Sequence, residues 1–145
     1  MLEDDASERF VAAVRAVADA MDADLGDEWD SLTGLQVLFL KSIARVGSIS
    51  RTDLALDVRT SRAAIVPGLA VLLQKGFVVE TPTAEGGVLT LGVEGEKLLE
   101  HVDHVRATWV RKALAQSDQD HRDGALARAA SLLEDIVPAR SSDPS

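Results

Sequence analysis

The 145-residue chain contains no cysteine and no tyrosine, and aromatic residues make up only 3% of it. The absence of cysteine excludes disulfides, thiolate metal sites and cysteine nucleophiles. No apolar run approaches the roughly 18 residues that a membrane span needs. The opening Met-Leu-Glu-Asp-Asp is not typical of a signal peptide. We therefore expect a soluble protein of the cytoplasm that makes no contact with a membrane.

Sequence motifs for catalysis are lacking as well. The chain has no glycine-rich phosphate loop of a recognised spacing and no Gly-x-Ser-x-Gly nucleophile elbow. No spacing of serine, histidine and carboxylate residues indicates a catalytic triad. We expect no catalytic residues, no cofactor and no enzymatic activity.

Positive charge is scarce, with 15 Lys and Arg against 24 Asp and Glu and a net charge of −9. Such a balance taken alone argues against nucleic acid, because a phosphate-binding surface needs concentrated positive charge. The acidity is unevenly distributed, however. Residues 1–30 contain ten acidic residues and two arginines, whereas residues 31–80 contain six basic and three acidic residues. The middle of the chain is therefore locally basic.

Apolar residues make up 46% of the chain, enough for one domain with a real core. Apolar steps of three and four residues predict a helix over 7–21. Thr33 is placed to cap a second helix that Gly47 ends, and Ser50 to cap a short third helix. A fourth apolar segment runs from Ile65 and stops at Gly76.

Two β-type runs follow, Phe77–Thr81 and Val88–Leu91. We expect Pro82–Gly87 to connect them, with a hairpin turn at Glu85-Gly86-Gly87. A long helix is predicted from Val93 to about Gln116, and a final helix over about 120–137. The predicted fold is mainly α with a small β-hairpin wing: a winged helix-turn-helix flanked by N- and C-terminal dimerisation helices.

The predicted segments are an acidic arm with a dimerisation helix (1–30), the winged helix-turn-helix (31–92), two dimerisation helices (93–137) and a flexible tail (138–145). Long helices near both termini cannot bury their apolar faces on so small a winged domain. We therefore expect a homodimer.

Six short segments occur in an order that is typical of one protein family. They are Leu32–Leu40, Leu54-Ala55, Ser61-Arg62, Leu72–Val78, Leu89–Leu99 and Ser117-Asp118. In this order they resemble the MarR family of bacterial transcriptional regulators, over about residues 31–137. The resemblance implies a homodimer with interlocked terminal helices. It also implies recognition helices in successive major grooves of a palindromic double-stranded DNA operator, and a small effector, often aromatic or anionic.

The same resemblance implies a DNA-binding surface around the start of the recognition helix. Arg62, next to a capping Ser61, is the candidate for contact with a base edge, because guanidinium pairs bidentately with guanine. The alternative is a surface arginine that pairs with Asp57. Arg51 and Arg59 are candidates for phosphate contact. The full predicted set is Arg51, Arg59, Thr60, Ser61, Arg62, Ala64 and Ile65.

The chain departs from the family pattern in four places. No basic residue lies between Lys75 and Lys97, so the wing lacks the arginines that the family usually has there. Arg59 stands where a glycine is common, and an expected arginine near Val71 is absent. Pro67 falls within the recognition segment. Either this helix kinks, or it begins near Pro67 and the preceding residues are irregular.

The histidines and tryptophans have two interpretations each. His101 and His104 lie three residues apart, with His121 further on, and such residues can hold a metal. We favour interface or surface residues and expect no metal. Trp29 and Trp109 are interpreted as core or interface residues rather than as a ligand pocket.

Three function classes remain. The first is a DNA-binding regulator of the MarR type, which binds an operator and is modulated by an effector. The second is a degenerate winged-helix dimer that binds DNA weakly or not at all and acts through protein contacts. The wing without arginine, Pro67 and the net charge motivate it. The third is a small-molecule binding protein without DNA activity, for which the sequence has no signature.

Overall fold

The computed structural model describes residues 2–117 and 124–137. The chain divides into two compact units, Met1–Trp109 and Val110–Ser145, and the boundary falls within one long helix. A short 3₁₀ helix, Gly26–Trp29, lies between the first two α-helices. In chain order the other elements are α1 (Leu2–Asp24), α2 (Gly34–Val46), β1 (Ile49–Ser50), α3 (Arg51–Asp57), α4 (Arg62–Gln74), β2 (Val78–Thr83), β3 (Gly86–Leu91), α5 (Val93–Ala115) and α6 (Ala125–Ile136).

The helices begin and end at the residues that the sequence marks as caps. Thr33 and Gln36 form a capping box at the start of α2, with reciprocal hydrogen bonds of 2.9 and 3.2 Å. Gly47 ends α2 with a φ of 90°. At the start of α3, Ser50 Oγ accepts a hydrogen bond of 3.1 Å from the Asp53 amide. The predicted starts of α2 and α3 and the predicted end of α2 are thus confirmed.

A three-stranded antiparallel sheet, with strand order β1-β3-β2, forms the wing. The two-residue strand β1 was not predicted. The predicted connection Pro82–Gly87, with its turn at Glu85-Gly86-Gly87, is wrong because both strands extend further. The turn is Ala84-Glu85 alone, because Thr83 pairs with Gly86 and Pro82 with Gly87. Proline is tolerated there because β2 is an edge strand and needs no amide donor on its outer side.

Helix α4 begins at Arg62 and runs unbroken through Pro67 to Gln74, so the alternative start near Pro67 is wrong. A glycine beside this proline brings α4 close to α2. A Cβ on Gly68 would lie 3.3 Å from the ring of Phe39, and Gln36 Nε2 donates a 3.3 Å hydrogen bond to the Gly68 carbonyl oxygen. This contact fixes α4 on the core.

The core lies among α2, α3, α4, the sheet and the first half of α5. Its fully buried members come mainly from α2 and α4, and the start of α5 is held close to the wing. A Cβ on Gly95 would lie 2.1 Å from the Phe77 carbonyl oxygen, so only glycine fits there. The core side chains with no exposure are Phe39, Leu40, Ile43, Leu54, Ile65, Leu69, Leu72 and Leu89.

The helix nearest each terminus exposes its apolar side chains in the single chain. In α1 every residue from Glu3 to Ala20 is exposed, and in α6 every residue except Ala125. The first residues of the predicted final helix, 118–123, lie outside the described residues, as does the predicted tail. Among the described residues, no helix is long and apolar enough to cross a membrane.

Candidate nucleic-acid interface

The start of α4 is built by a tight turn followed by a serine cap. Arg59 has a φ of 57°, in the left-handed region, which lets the chain reverse after α3. The Thr60 amide then donates a 2.9 Å hydrogen bond to the Ala55 carbonyl oxygen. Ser61 Oγ accepts a 3.1 Å hydrogen bond from the Ala64 amide, so Ser61 caps the helix as expected. Arg62 is therefore held in the first helical turn.

Two predicted arginines are presented together at this point. Arg59 and Arg62 are exposed, three residues apart, and neither has a hydrogen bond or ion pair within the part of the chain that the structure describes. The amino end of a helix adds a partial positive charge to that of the two side chains. The result is a small exposed cationic site that could accept an anion such as a phosphate group.

The other predicted residues of this segment differ in their exposure to solvent. Ala64 is exposed and Thr60 is half-buried, so both border the cationic site. Ile65 has no exposure and belongs to the core, so it cannot touch a ligand on this surface. In an amphipathic helix a position beside exposed residues can face inward, because successive side chains are separated by about 100°.

Arg51 is held by a residue of the wing. Its Nε donates to Glu80 Oε2 at 2.7 Å and its Nη2 to Glu80 Oε1 at 2.9 Å, a bidentate ion pair between α3 and β2. The hydrogen bonds lower the pKa of the Glu80 carboxyl and raise that of the Arg51 guanidinium. Both side chains are half-buried. The positive charge of Arg51 is thus neutralised within the protein.

A second ion pair holds Asp57, which the sequence offers as an alternative partner for Arg62. Both Arg45 and the hydroxyl of the buried Ser42 donate hydrogen bonds to Asp57 Oδ2. This arrangement joins α2 to the last turn of α3. The carboxylate therefore serves the packing of these two helices, and Arg62 makes no ion pair with it.

Three other basic side chains, Lys41, Lys75 and Arg106, lie away from the start of α4. Lys41 and Arg106 both approach the ring of Trp29, with distances of 5.4 and 5.7 Å to the ring centroid. Such distances are typical of cation–π contacts, which supports the interpretation of Trp29 as a packing residue. Lys75 is exposed just after the last residue of α4.

Helix α4 has a feature that the sequence already showed but that the site prediction missed. The eleven residues Ala63 to Leu73 have no side-chain nitrogen or oxygen. The exposed surface of this helix is therefore apolar between Arg62 at its start and Gln74 at its end. The signal available in the sequence was the all-apolar run itself, because a helix that buries one face usually has polar residues on the other.

One histidine and the second tryptophan connect α5 to the end of α1 and the 3₁₀ helix that follows it. His101 Nε2 lies 2.7 Å from Glu28 Oε2, and Trp109 Nε1 donates a 2.7 Å hydrogen bond to Asp24 Oδ2. Within residues 2–117 and 124–137, no group of three histidine or carboxylate residues could hold a metal. His121 lies outside that part of the chain.

A cavity of about 420 Å³ lies beside the His101–Glu28 contact. Its lining combines two core side chains with charged groups, of which three are carboxylates. The lining residues are Glu28, Asp30, Phe77, Glu94, Lys97, Leu98 and His101. Its volume is in the range of small-molecule sites in proteins, and it is open to solvent on one side.

The described elements define a winged helix-turn-helix with long helices before and after it. No protein-family model matches the sequence, and no curated protein matches it. Solved structures, in contrast, match over nearly the whole chain. A structure of the transcriptional regulator Tm0710 from Thermotoga maritima has 17% identity and a TM-score of 0.71, covering 92% of this chain and 95% of that one.

Two further solved structures are similar. RV1404 from Mycobacterium tuberculosis has 16% identity and a TM-score of 0.66, with 96% of each chain covered. A mutant MepR of S. aureus, bound to an oligodeoxyribonucleotide, has 16% identity and a TM-score of 0.61, covering 90% of this chain and 96% of that one. The resemblance to MarR-family regulators is confirmed as a likeness of fold, and so is the predicted mainly α architecture with a small β wing and flanking helices.

Proposed function

We propose that the protein is a DNA-binding transcriptional regulator that acts as a homodimer on a palindromic operator. The observation that carries the proposal is the pair of exposed arginines, Arg59 and Arg62, at the capped start of α4, neither of which has a hydrogen bond or ion pair among the described residues. In a winged helix-turn-helix, this end of the recognition helix enters the major groove. A protein of the same fold, MepR, has been solved with an oligodeoxyribonucleotide, which supports this use of the fold.

The proposed roles differ between the two arginines. Arg62 contacts a guanine edge through its guanidinium, and Arg59 contacts a phosphate. Thr60, Ser61 and Ala64 border the contact through their backbone and small side chains. Arg51 does not take part while it is bound to Glu80. The proposed regulator acts in the cytoplasm and needs no enzymatic activity.

The homodimer is supported by two helices, α1 and α6, whose apolar side chains are exposed in a single chain. Phe10, Val14 and Val17 recur along α1 and all three side chains are exposed. In α6, Leu132 and Ile136 are exposed in the same way. A second copy can cover such faces symmetrically. Analytical ultracentrifugation should show a dimer at micromolar concentration, and a Val14→Glu change should shift it toward monomer.

Titration of duplex DNA tests the main proposal. The protein's own promoter region, in labelled duplexes, is titrated at several salt concentrations with the wild type, Arg62→Ala and Lys112→Ala. Lys112 is an exposed lysine near the end of α5 and serves as the control for the loss of one charge. We expect Arg62→Ala to cost about 1–3 kcal/mol of specific binding and Lys112→Ala much less. Unselective binding by the wild type even at low salt would contradict the proposal.

We further propose that a small-molecule effector modulates the regulator and binds in the 420 Å³ cavity. The family resemblance implies an effector that is often aromatic or anionic. Three carboxylates against the single ammonium group of Lys97 favour a neutral or cationic compound over an anionic one. Such a compound should raise the melting temperature of the protein and change its DNA affinity. His101→Trp, which fills the cavity from an exposed position, should abolish both effects.

A protein-interaction module is the second candidate, favoured by the wing. In the wing strands the acidic side chain of Glu80 faces Arg51, and neither strand has a basic residue. A wing of this kind gives no electrostatic attraction to phosphate. If the titration shows no selective duplex, co-purification of a second regulator with the full chain becomes the relevant measurement.

A further inference from the structure

The exposed side of α4 is apolar between Arg62, its first residue, and Gln74, its last. Ile65, Leu69 and Leu72 face the core with no exposure, whereas the side chains on the other sides are exposed, including Val66 at 49% and Val71 at 37%. We call this exposed set the apolar outer face of α4. It consists of Ala63, Ala64, Val66, Pro67, Ala70 and Val71.

Polar groups are available only at the two ends of this face. Arg62 lies at its start and Gln74 at its end, about 18 Å apart along the helix axis at 1.5 Å per residue. Ser61 Oγ already accepts the hydrogen bond of the helix cap. A helix with this face in the major groove therefore cannot read the central base pairs through side-chain hydrogen bonds.

The major-groove edges of the bases offer one apolar group, the C5 methyl of thymine. We propose that the apolar outer face of α4 reads thymine methyl groups, so that the preferred half-site joins a guanine at Arg62 to adjacent A·T pairs. Burial of a methyl against alanine or valine side chains is favourable and sequence-selective. The inference rests on the proposed function, since it names the DNA sequence class that the same helix recognises.

Charge on the same face favours DNA over a protein partner as its occupant. Arg59 and Arg62, which have no partner in the described part of the chain, adjoin the apolar outer face at the amino end of α4. A duplex supplies both complements at once, since phosphates lie at the rim of the major groove and thymine methyls on its floor. An apolar peptide surface would supply only the second.

The experiment replaces thymine by deoxyuridine, which removes the methyl group and keeps every hydrogen-bonding atom. Duplexes are first selected by the full-length protein from a random-sequence pool. The best-bound duplex is then synthesised in a dT form and a dU form, and both are titrated by fluorescence anisotropy. We expect the dU form to bind about fourfold more weakly for each thymine methyl that the helix buries.

A variant pair assigns the effect to the helix. Val66→Ser removes both methyl groups from the apolar outer face, and Val46→Ser removes them from a valine of similar exposure at the end of α2. Because both side chains are about half exposed, both variants should fold, which circular dichroism melting checks. The ratio of dT to dU affinity should fall toward one in Val66→Ser and stay at the wild-type value in Val46→Ser.

The outcomes separate the two proposals. Selective binding that is equal for the dT and dU duplexes overturns the methyl-reading inference and leaves the proposed regulator intact. A dU effect that persists unchanged in Val66→Ser overturns the assignment to this face. If no duplex is selected over the random pool at low salt, the proposed function fails and the inference fails with it.

Discussion

The guanidinium of Arg51 binds the carboxylate of Glu80 through two hydrogen bonds, of 2.7 and 2.9 Å, that join the first residue of α3 to the wing strand β2. A bidentate pair of this kind fixes the relative orientation of the two side chains in addition to pairing their charges. The pair therefore locks the wing against the helix-turn-helix and removes from the surface one of the six basic residues of segment 31–80.

Release of Arg51 should strengthen DNA binding. In Glu80→Gln the wing loses a negative charge and the guanidinium becomes available for phosphate. We expect affinity for duplex DNA to rise several-fold, up to about tenfold at 0.1 M salt, because one more phosphate contact steepens the salt dependence by about 0.9. Anisotropy titrations over a range of salt concentrations measure both quantities.

Glu85→Gln is the matched control for this change. Glu85 is in the hairpin turn and is exposed, so its substitution removes the same charge without releasing Arg51. An equal gain of affinity in both variants would show that charge alone matters and that Arg51 makes no contact. An unchanged salt slope in Glu80→Gln would lead to the same conclusion.

The Arg51–Glu80 pair also predicts a pH dependence of stability. The pKa of Glu80 is lowered in the folded protein, so its contribution is present above the pKa of the unfolded chain and is lost as the pH falls through the folded pKa. The pKa of Arg51 is raised, so this group stays charged over the whole range. Between about pH 5 and pH 3 the wild type should lose more unfolding free energy than Glu80→Gln.

The size of this effect should be modest, at most about 1 kcal/mol, because both side chains remain partly in contact with solvent. Urea unfolding at a series of pH values measures it. Parallel curves for the wild type and Glu80→Gln would show that the pair adds no pH-linked stability.

Local signals in the sequence predicted much of this fold. Thr33, Ser50 and Ser61 each cap a helix because their side-chain oxygens accept an amide three residues later. Gly47 and Gly76 were correctly expected to mark helix ends, since both adopt a positive φ. These are contacts within one turn of chain, where sequence spacing fixes geometry.

Long-range relationships were not predictable in this way. Arg51 and Glu80 are 29 residues apart, and no local pattern indicates that they meet. Strand β1 has only two residues, too few for a visible alternation, and it forms because β3 offers it an edge. The family resemblance placed Ile65 in the predicted interface with the start of the recognition helix, whereas its side chain faces the core with no exposure.

Arg59→Gly should stabilise the protein. Arg59 has a φ of 57°, which costs a non-glycine residue about 1–2 kcal/mol, and glycine avoids this strain at the price of a more flexible unfolded chain. We expect a net gain of about 0.5–1 kcal/mol in the free energy of unfolding. Thermal and urea unfolding measure it.

Arg59→Ala is the control, since it removes the same charge and keeps the strained backbone. Both variants should bind duplex DNA equally weakly, because both lack the proposed phosphate contact. A gain of stability in Arg59→Ala equal to that of Arg59→Gly would mean that charge repulsion, rather than the backbone, is relieved.

Pro67→Ala should also stabilise the protein, because α4 continues through Pro67 although proline cannot donate the hydrogen bond that the Ala63 carbonyl would accept. Proline in a helix interior costs about 3 kcal/mol, and its stiffening of the unfolded chain offsets about 0.4–1 kcal/mol. The net gain should be about 2 kcal/mol, measured by urea unfolding. Pro82→Ala, in an edge strand, is the control and should change stability little. A loss of stability in Pro67→Ala would mean that the proline ring makes contacts worth more than the missing hydrogen bond.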